Sequence, residues 1–242
     1  MYFVLTGEGN SDLGYSDEHP GFLIELLEKL ASAVSGEAFG YEFASRSDLA
    51  PKMPKDSDSS RPILLRGNKR KYPYLITIQR TAEALGRIAS ELENTGAVFF
   101  HDCDYTQSEV DDADKYYRQL VTCMEQGFEF ANYSNGVPMV PKPRSESWLL
   151  CHYQATPYEN CARFEKLPAN DRAENSGKKL LERFFKCCES QIYAHINIEE
   201  IDWDKIDAPS FVFFKNRFQH VVERLTGQAL SMPESETIMT KN

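Results

Sequence analysis

No stretch of this chain approaches the ~20 consecutive apolar residues that a membrane helix needs, so no helical membrane span is expected. The opening MYFVLTGEGN has neither a basic n-region nor a small-residue cleavage site, which predicts a cytoplasmic protein. Cys-x-x-Cys pairs and His/Cys clusters at zinc-finger spacing are missing, which gives a structural zinc site little support. The six cysteines (Cys103, Cys123, Cys151, Cys161, Cys187 and Cys188) are scattered, and without a secretion signal they are expected to be reduced thiols with no disulfide. An excess of base is missing too. Acids number 37 against 27 Lys and Arg, a net charge of −10 that disfavours a protein whose whole surface clings to nucleic acid while leaving room for a local basic patch. A Gly-x-x-x-x-Gly-Lys-Ser/Thr loop is absent, so any ATP-driven step would need another subunit. What is present, 242 residues with 41% hydrophobic and 26% charged side chains, is the composition of a folded protein with one large domain, or one domain and an appendage.

Tyr2 to Thr6 is β-branched and aromatic and stops at Gly7-Glu8-Gly9-Asn10, which predicts a buried strand ending in a tight turn. From Gly21 to Val34, Phe22, Leu23, Leu26, Leu27, Leu30 and Ala33 recur at helical spacing. Tyr41 to Ala44 predicts a short strand, and Leu49 to Ser60 a Pro/Ser/Asp-rich loop. A second amphipathic helix is marked by Ile78, Ala82, Leu85, Ile88, Ala89 and Leu92, ending near Asn94-Thr95-Gly96. Ala97 to Phe100 reads as a central strand, Val110 to Gly127 as a helix and Val137 to Val140 as another buried strand. Glu146–Tyr153, Leu180–Cys188 and Phe211–Leu225 are expected to be helical, with Trp148, Leu149, Leu150 and the phenylalanines of the last stretch in the core. Gln228 to Asn242 lacks periodicity and reads as a loose tail.

Residues 61–80 carry Arg61, Arg66, Lys69, Arg70, Lys71 and Arg80 and no acid, with Tyr72 and Tyr74 among them. Arg66, Lys69, Arg70 and Lys71 are the candidate nucleic-acid contacts, because cations beside stacking rings suit a phosphate backbone; a solvated loop is the plain alternative. Acids follow the predicted strands: Glu8 with Asp12, Asp102 with Asp104, and Glu146. Ligands of an open α/β sheet bind at the carboxyl edge of its strands, so acids delivered there can converge, and hard oxygen donors suit Mg²⁺ or Mn²⁺. Lys142 or Arg144, beside Glu146, can supply a cation to a phosphoryl transition state. His101 is expected to point away from the acids, since strand neighbours face opposite sides. Cys103 between two anions is not expected to be a thiolate.

The strand before Gly7-Glu8-Gly9-Asn10-Ser11-Asp12 and the strand before Asp102-Cys103-Asp104 together resemble the Toprim fold, with its glutamate after a first strand and its Asp-x-Asp after a later one. Val137 to Leu150, with Pro141-Lys142-Pro143 and Glu146-Ser147-Trp148-Leu149-Leu150, resembles a segment of uncharacterised bacterial Toprim-like proteins. Ser176-Gly177-Lys178-Lys179-Leu180-Leu181 and Pro209 to Phe214 resemble their helical tail. The resemblance implies a Toprim-like α/β core over residues 1–155 with a mostly parallel sheet flanked by helices, a helical extension packed on it over 156–227, and the tail. It also implies a nuclease similar to the overcoming-lysogenization-defect enzymes of bacterial antiphage systems. Glu8, Asp12, Asp102, Asp104 and Glu146 would hold one or two Mg²⁺ or Mn²⁺ ions, with Glu8, Asp102, Asp104, Glu146 and Lys142 catalytic and Ser145 a further candidate. Those relatives place a serine two residues before their last glutamate, where this chain has Arg144. The implied partners are a DNA or RNA substrate and a separate ATPase subunit; a homodimer stays open.

Two other readings compete. A Toprim-like scaffold can serve without catalysis as the sensor subunit of an ATPase. Val98 to Thr106 also resembles the first motif of haloacid-dehalogenase-like phosphotransferases, in which Asp102 would be the nucleophile and Asp104 the acid/base, leaving Glu8 and Glu146 without a role.

Overall fold

A computed structural model of the chain describes residues 1–8, 12–16, 19–54, 74–104 and 112–227. The candidate contacts Arg66, Lys69, Arg70 and Lys71 lie outside the described residues, as does the stretch read as a tail. The elements in chain order are β1 (Tyr2–Gly7), a hairpin of β2 (Gly14–Ser16) and β3 (His19–Pro20), α1 (Phe22–Ser35), β4 (Gly40–Phe43) and α2 (Arg46–Leu49). There follow α3 (Tyr74–Ser90), β5 (Thr95–Phe100), α4 (Ala113–Phe130), β6 (Gly136–Met139), α5 (Glu146–Leu149), α6 (Gly177–Phe185) and α7 (Pro209–Thr226).

β1, β4, β5 and β6 form one sheet in the order β4-β1-β5-β6, and all of its pairings are parallel. Side chains of a strand alternate between faces, and here both faces are covered. Phe3, Leu5, Val98, Phe100, Val137 and Met139 pack with α1, α7 and Trp148, while Val4, Ala97 and Phe99 pack with α3 and α4. Being buried on both sides explains why β5 reads as a continuous apolar run rather than an alternation. The expected α/β architecture, a parallel sheet flanked by helices with a helical C-terminal part, is the one observed. Among the described residues no helix is long and apolar enough to cross a membrane.

Helix ends follow local chemistry. α1 stops at Gly36, which takes a left-handed conformation with φ of 67° that glycine adopts without cost. Asp112 caps α4 by accepting from the Lys115 amide, and Ser176 caps α6 by accepting from that of Lys179. α3 and α4 cross closely at Gly127, where an added Cβ would lie 2.2 Å from the Gln79 carbonyl oxygen.

Three expectations need correction. Cys151 and Cys161 form a disulfide, with 4.9 Å between their Cα atoms. The turns between residues 152 and 160 fold the chain back on itself, a proximity that cysteine spacing does not reveal. The helix expected over Leu180–Cys188 ends at Phe185, because Lys186 turns left-handed, so Cys187 and Cys188 lie beyond it. The C-terminal part is also less regular than periodicity suggests: short 3-10 turns fill Cys161–Lys166, Glu189–Gln191, Tyr193–His195, Ile198–Glu200 and Trp203–Lys205.

Candidate functional site

The carboxyl edge of the sheet collects the acids. β1 ends at Gly7 and delivers Glu8, and the chain comes back to that edge at Asp12. The Asp12 backbone is fixed by the start of α1: its carbonyl accepts from the Leu23 amide at 3.1 Å, and a Cβ on Gly21 would stand 2.0 Å from the same oxygen. Beyond β5 and β6 the two chains stay paired, with the His101 amide donating to Met139 and that of Cys103 to Pro141 at 2.9 Å. That pairing sends Cys103 into the core against α3 and α4, and Asp102 and Asp104 to the other side. Burial holds the Cys103 thiol protonated, as expected. After β6 the loop runs through a cis Lys142–Pro143 peptide to Ser145, and α5 begins with Glu146.

Ser145 joins the acids. Its amide donates to Asp102 Oδ1 at 3.1 Å and its hydroxyl to Asp12 Oδ1 at 2.5 Å. Tyr193, from the turn Tyr193–His195, donates its phenol to Glu146 Oε1 at 3.1 Å and reaches Asp12 Oδ1 at 3.5 Å. Asp12, Ser145 and Glu146 are buried, at 6%, 1% and 2% exposure. Burial pushes Asp102 well above the usual carboxylate range, and the charges of Asp12, Glu146 and Asp104 push it the same way against Arg144. Glu146 is pushed up to about 7 by burial and then by Asp12, opposed by its own backbone amide, Lys178 and the Tyr193 phenol. Each of these acids therefore feels the others, which makes Asp12, Asp102 and Glu146 one electrostatic unit.

A second tier lies outward. Asp104 takes Arg144 Nη2 at 2.7 Å, and burial raises its carboxyl against that guanidinium. Arg144 Nε donates to the Ala169 carbonyl at 3.0 Å and Nη1 to Asp171 Oδ2 at 3.1 Å, the same oxygen that Lys178 Nζ reaches at 3.0 Å. Glu8 is 52% exposed, and its carboxylate stands against Nδ1 of His101. The structure thus brings Glu8, Asp12, Asp102, Asp104, Glu146 and Ser145 to one edge.

Two expectations at the site are corrected. Lys142 does not turn to the acids: it pairs with Asp114, approaches Glu165 at 3.9 Å and lies over the Tyr117 ring. Asp114 holds the lysine directly, and the buried carboxylate of Glu165, 5% exposed and accepting from the Ser210 amide at 2.6 Å through its other oxygen, adds a second anion on the side away from the acids. Among the described residues the cations at the centre are Arg144 and Lys178. His101 faces Glu8 rather than away from every acid. Sequence reasoning missed Tyr193, Asp171 and the place of Lys178. Only the helix start Ser176-Gly177-Lys178-Lys179 carried a signal; nothing marks Tyr193, which stands in an irregular turn.

As a metal site the centre fits in donor chemistry, because carboxylate oxygens suit a hard divalent cation and a cation offsets both the burial and the mutual repulsion that raise Asp102 and Glu146. The side-chain directions are not those of a closed ion site: among the described residues no three His, Cys, Asp or Glu side chains are arranged to hold an ion. Ser145, Tyr193 and Arg144 engage the carboxylates instead, so loading an ion requires those side chains to turn. Comparison of the chain with protein-family models, with curated proteins and with solved structures returned no match.

Proposed function

We propose that the acid centre hydrolyses phosphodiester bonds of nucleic acid with Mg²⁺ or Mn²⁺. The observation that carries this reading is the convergence of Asp12, Asp102 and Glu146 from three separate strand ends onto one buried point, tied together by Ser145. Buried carboxylates that repel one another cost stability, and a fold keeps such a cluster where the charge is used. Asp12, Asp102 and Glu146 would hold the ion, with Glu8 and Asp104 at its outer side. A divalent ion bound there supplies positive charge to the phosphoryl oxygens and makes water acidic enough to attack near neutral pH.

The chain's own residues do the remaining work. Ser145 orients Asp12 and Asp102 through two hydrogen bonds, holding their oxygens in fixed directions. Tyr193 does the same for Glu146. Arg144, planar and always charged, stands at Asp104, from where it would meet the negative charge that grows on a scissile phosphate. The parallel sheet makes the edge rigid, and Leu13, Phe22 and Trp148 shield its inner side from water.

The test is cleavage of plasmid DNA, single-stranded DNA and transfer RNA by purified protein with Mn²⁺ or Mg²⁺, beside Asp102→Asn and Glu146→Gln. Cleavage of one of these substrates by the wild type, lost by about a hundredfold or more in both variants and in chelator, is the expected result. Wild-type cleavage that both variants retain would show that the acids are not the catalyst, and no cleavage of any substrate overturns the hydrolytic reading.

A further inference from the structure

In the outer tier two cations share one carboxylate oxygen. Asp171 lies in the irregular stretch between Lys166 and α6, and a single oxygen, Oδ2, is shared by Arg144 Nη1 at 3.1 Å and Lys178 Nζ at 3.0 Å. Lys178 also approaches Glu189 at 3.5 Å. Both cations border the acid centre: Arg144 reaches Asp104 through its other Nη, and the charge of Lys178 is felt at Glu146. Neither is sealed off, with Arg144 25% and Lys178 19% exposed. Two cations converging on one oxygen is how a phosphate oxygen is held, and a carboxylate oxygen can take the same donors.

We propose that Arg144 and Lys178 form the binding site for a phosphodiester oxygen of a nucleic-acid strand, and that the Asp171 carboxylate is its internal stand-in, displaced when the strand binds. The displacement needs no movement of the backbone. The Asp171 carbonyl is held by the Ser176 hydroxyl at 3.1 Å, and the neighbouring Ala169 carbonyl accepts from Arg144 Nε, so the stretch stays anchored while one short side chain rotates away. The exchange is close to neutral in charge, one anion for another. The site is thereby kept from unspecific anions until a ligand with several phosphates outbids a single carboxylate. The identity of the anion rests on the phosphodiester reading above; the site itself is tested without metal and without cleavage.

The experiment measures binding of a short fluorescein-labelled oligothymidylate and of inorganic phosphate to the full chain in chelator. Asp171→Asn, which removes the anion the two cations share and leaves Arg144 its Asp104 contact and Lys178 its longer one to Glu189, is expected to bind the oligonucleotide about threefold or more tighter than wild type, the scale of a part-exposed ion pair. Lys178→Gln binds it severalfold weaker. Glu174→Gln removes the same charge three residues away, where Glu174 pairs only with Arg183 among the described residues, and leaves the affinity at the wild-type value. Unchanged or weaker binding by Asp171→Asn, an equal gain in Glu174→Gln, or phosphate binding without oligonucleotide binding overturns the proposal. Should Asp171→Asn not fold, Lys178→Gln decides alone: affinity retained overturns the site, affinity lost upholds it. The expected pattern without any cleavage would leave the site standing and the hydrolytic reading fallen, whereas cleavage with indifferent affinities would remove the site alone.

Discussion

Glu146 shows at the scale of one residue what the centre costs. Burial, and then the charge of Asp12, push its carboxyl up from 4.5 to about 7, so folding favours the protonated form across the acid range below that value. A carboxyl raised on folding contributes fully below the unfolded value and loses that contribution as pH climbs through the folded one. Metal-free protein should therefore lose on the order of 3 kcal/mol through this group between pH 4.5 and 7. Glu146→Gln, which cannot ionise, should unfold at higher denaturant than wild type above pH 7 in chelator, with a flatter pH profile. Parallel profiles for the two proteins would show that the crowding is not felt. The residue scale is also where the sequence was least legible. Asp102 and Asp104 announce themselves because a strand end with Asp-x-Asp is a local pattern. Lys142 misleads, since its nearness to Glu146 in sequence says nothing of Asp114, which pairs with it in space, or of Glu165 behind it. Tyr193 and Asp171 come from stretches without periodicity, and only the folded chain brings them to the acids.

At the scale of elements, regular patterns translated well. The helical spacing of Phe22, Leu26, Leu27 and Leu30 became the buried face of α1, and the apolar run of β5 became the strand paired on both sides at the centre of the sheet. Boundaries drifted where the chain's own cues are weak: α3 begins at Tyr74, earlier than its first marked apolar residue, and the hairpin of β2 and β3 is too short to carry an alternation. The α3–α4 contact yields a test of close packing. Ala in place of Gly127 improves helix propensity by about 1 kcal/mol, but its Cβ would meet the Gln79 carbonyl oxygen at 2.2 Å and the Ala82 Cβ at 2.6 Å. A backbone carbonyl cannot swing aside, so overpacking of about 1–3 kcal/mol should win. Thermal unfolding of Gly127→Ala should start several degrees below wild type; an unchanged or higher midpoint would mean that the helices part without cost.

At the scale of the whole molecule, the fold was legible because burial on both faces leaves long-range order in local composition. Apolar strands alternating with amphipathic helices specify a parallel sheet before any contact is known. The C-terminal third was legible in its two helices, α6, which ends three residues earlier than expected, and α7, whose Phe211, Phe214 and Phe218 complete the core beside Trp148. The Cys151–Cys161 bridge was invisible, because compartment and spacing are statistical guides while a disulfide depends on which segments meet. Function is a property at this same scale: acids from positions 12, 102 and 146 become one site only through the sheet that gathers them. The measurement that tests this most directly is calorimetric titration of Mn²⁺ into chelator-treated protein, repeated with Asp102→Asn and Glu146→Gln. Saturable binding by the wild type that weakens by about tenfold or more in each variant is the predicted result. Binding that all three proteins share, or no binding in the wild type, would contradict the claim that these carboxylates form one metal-dependent centre.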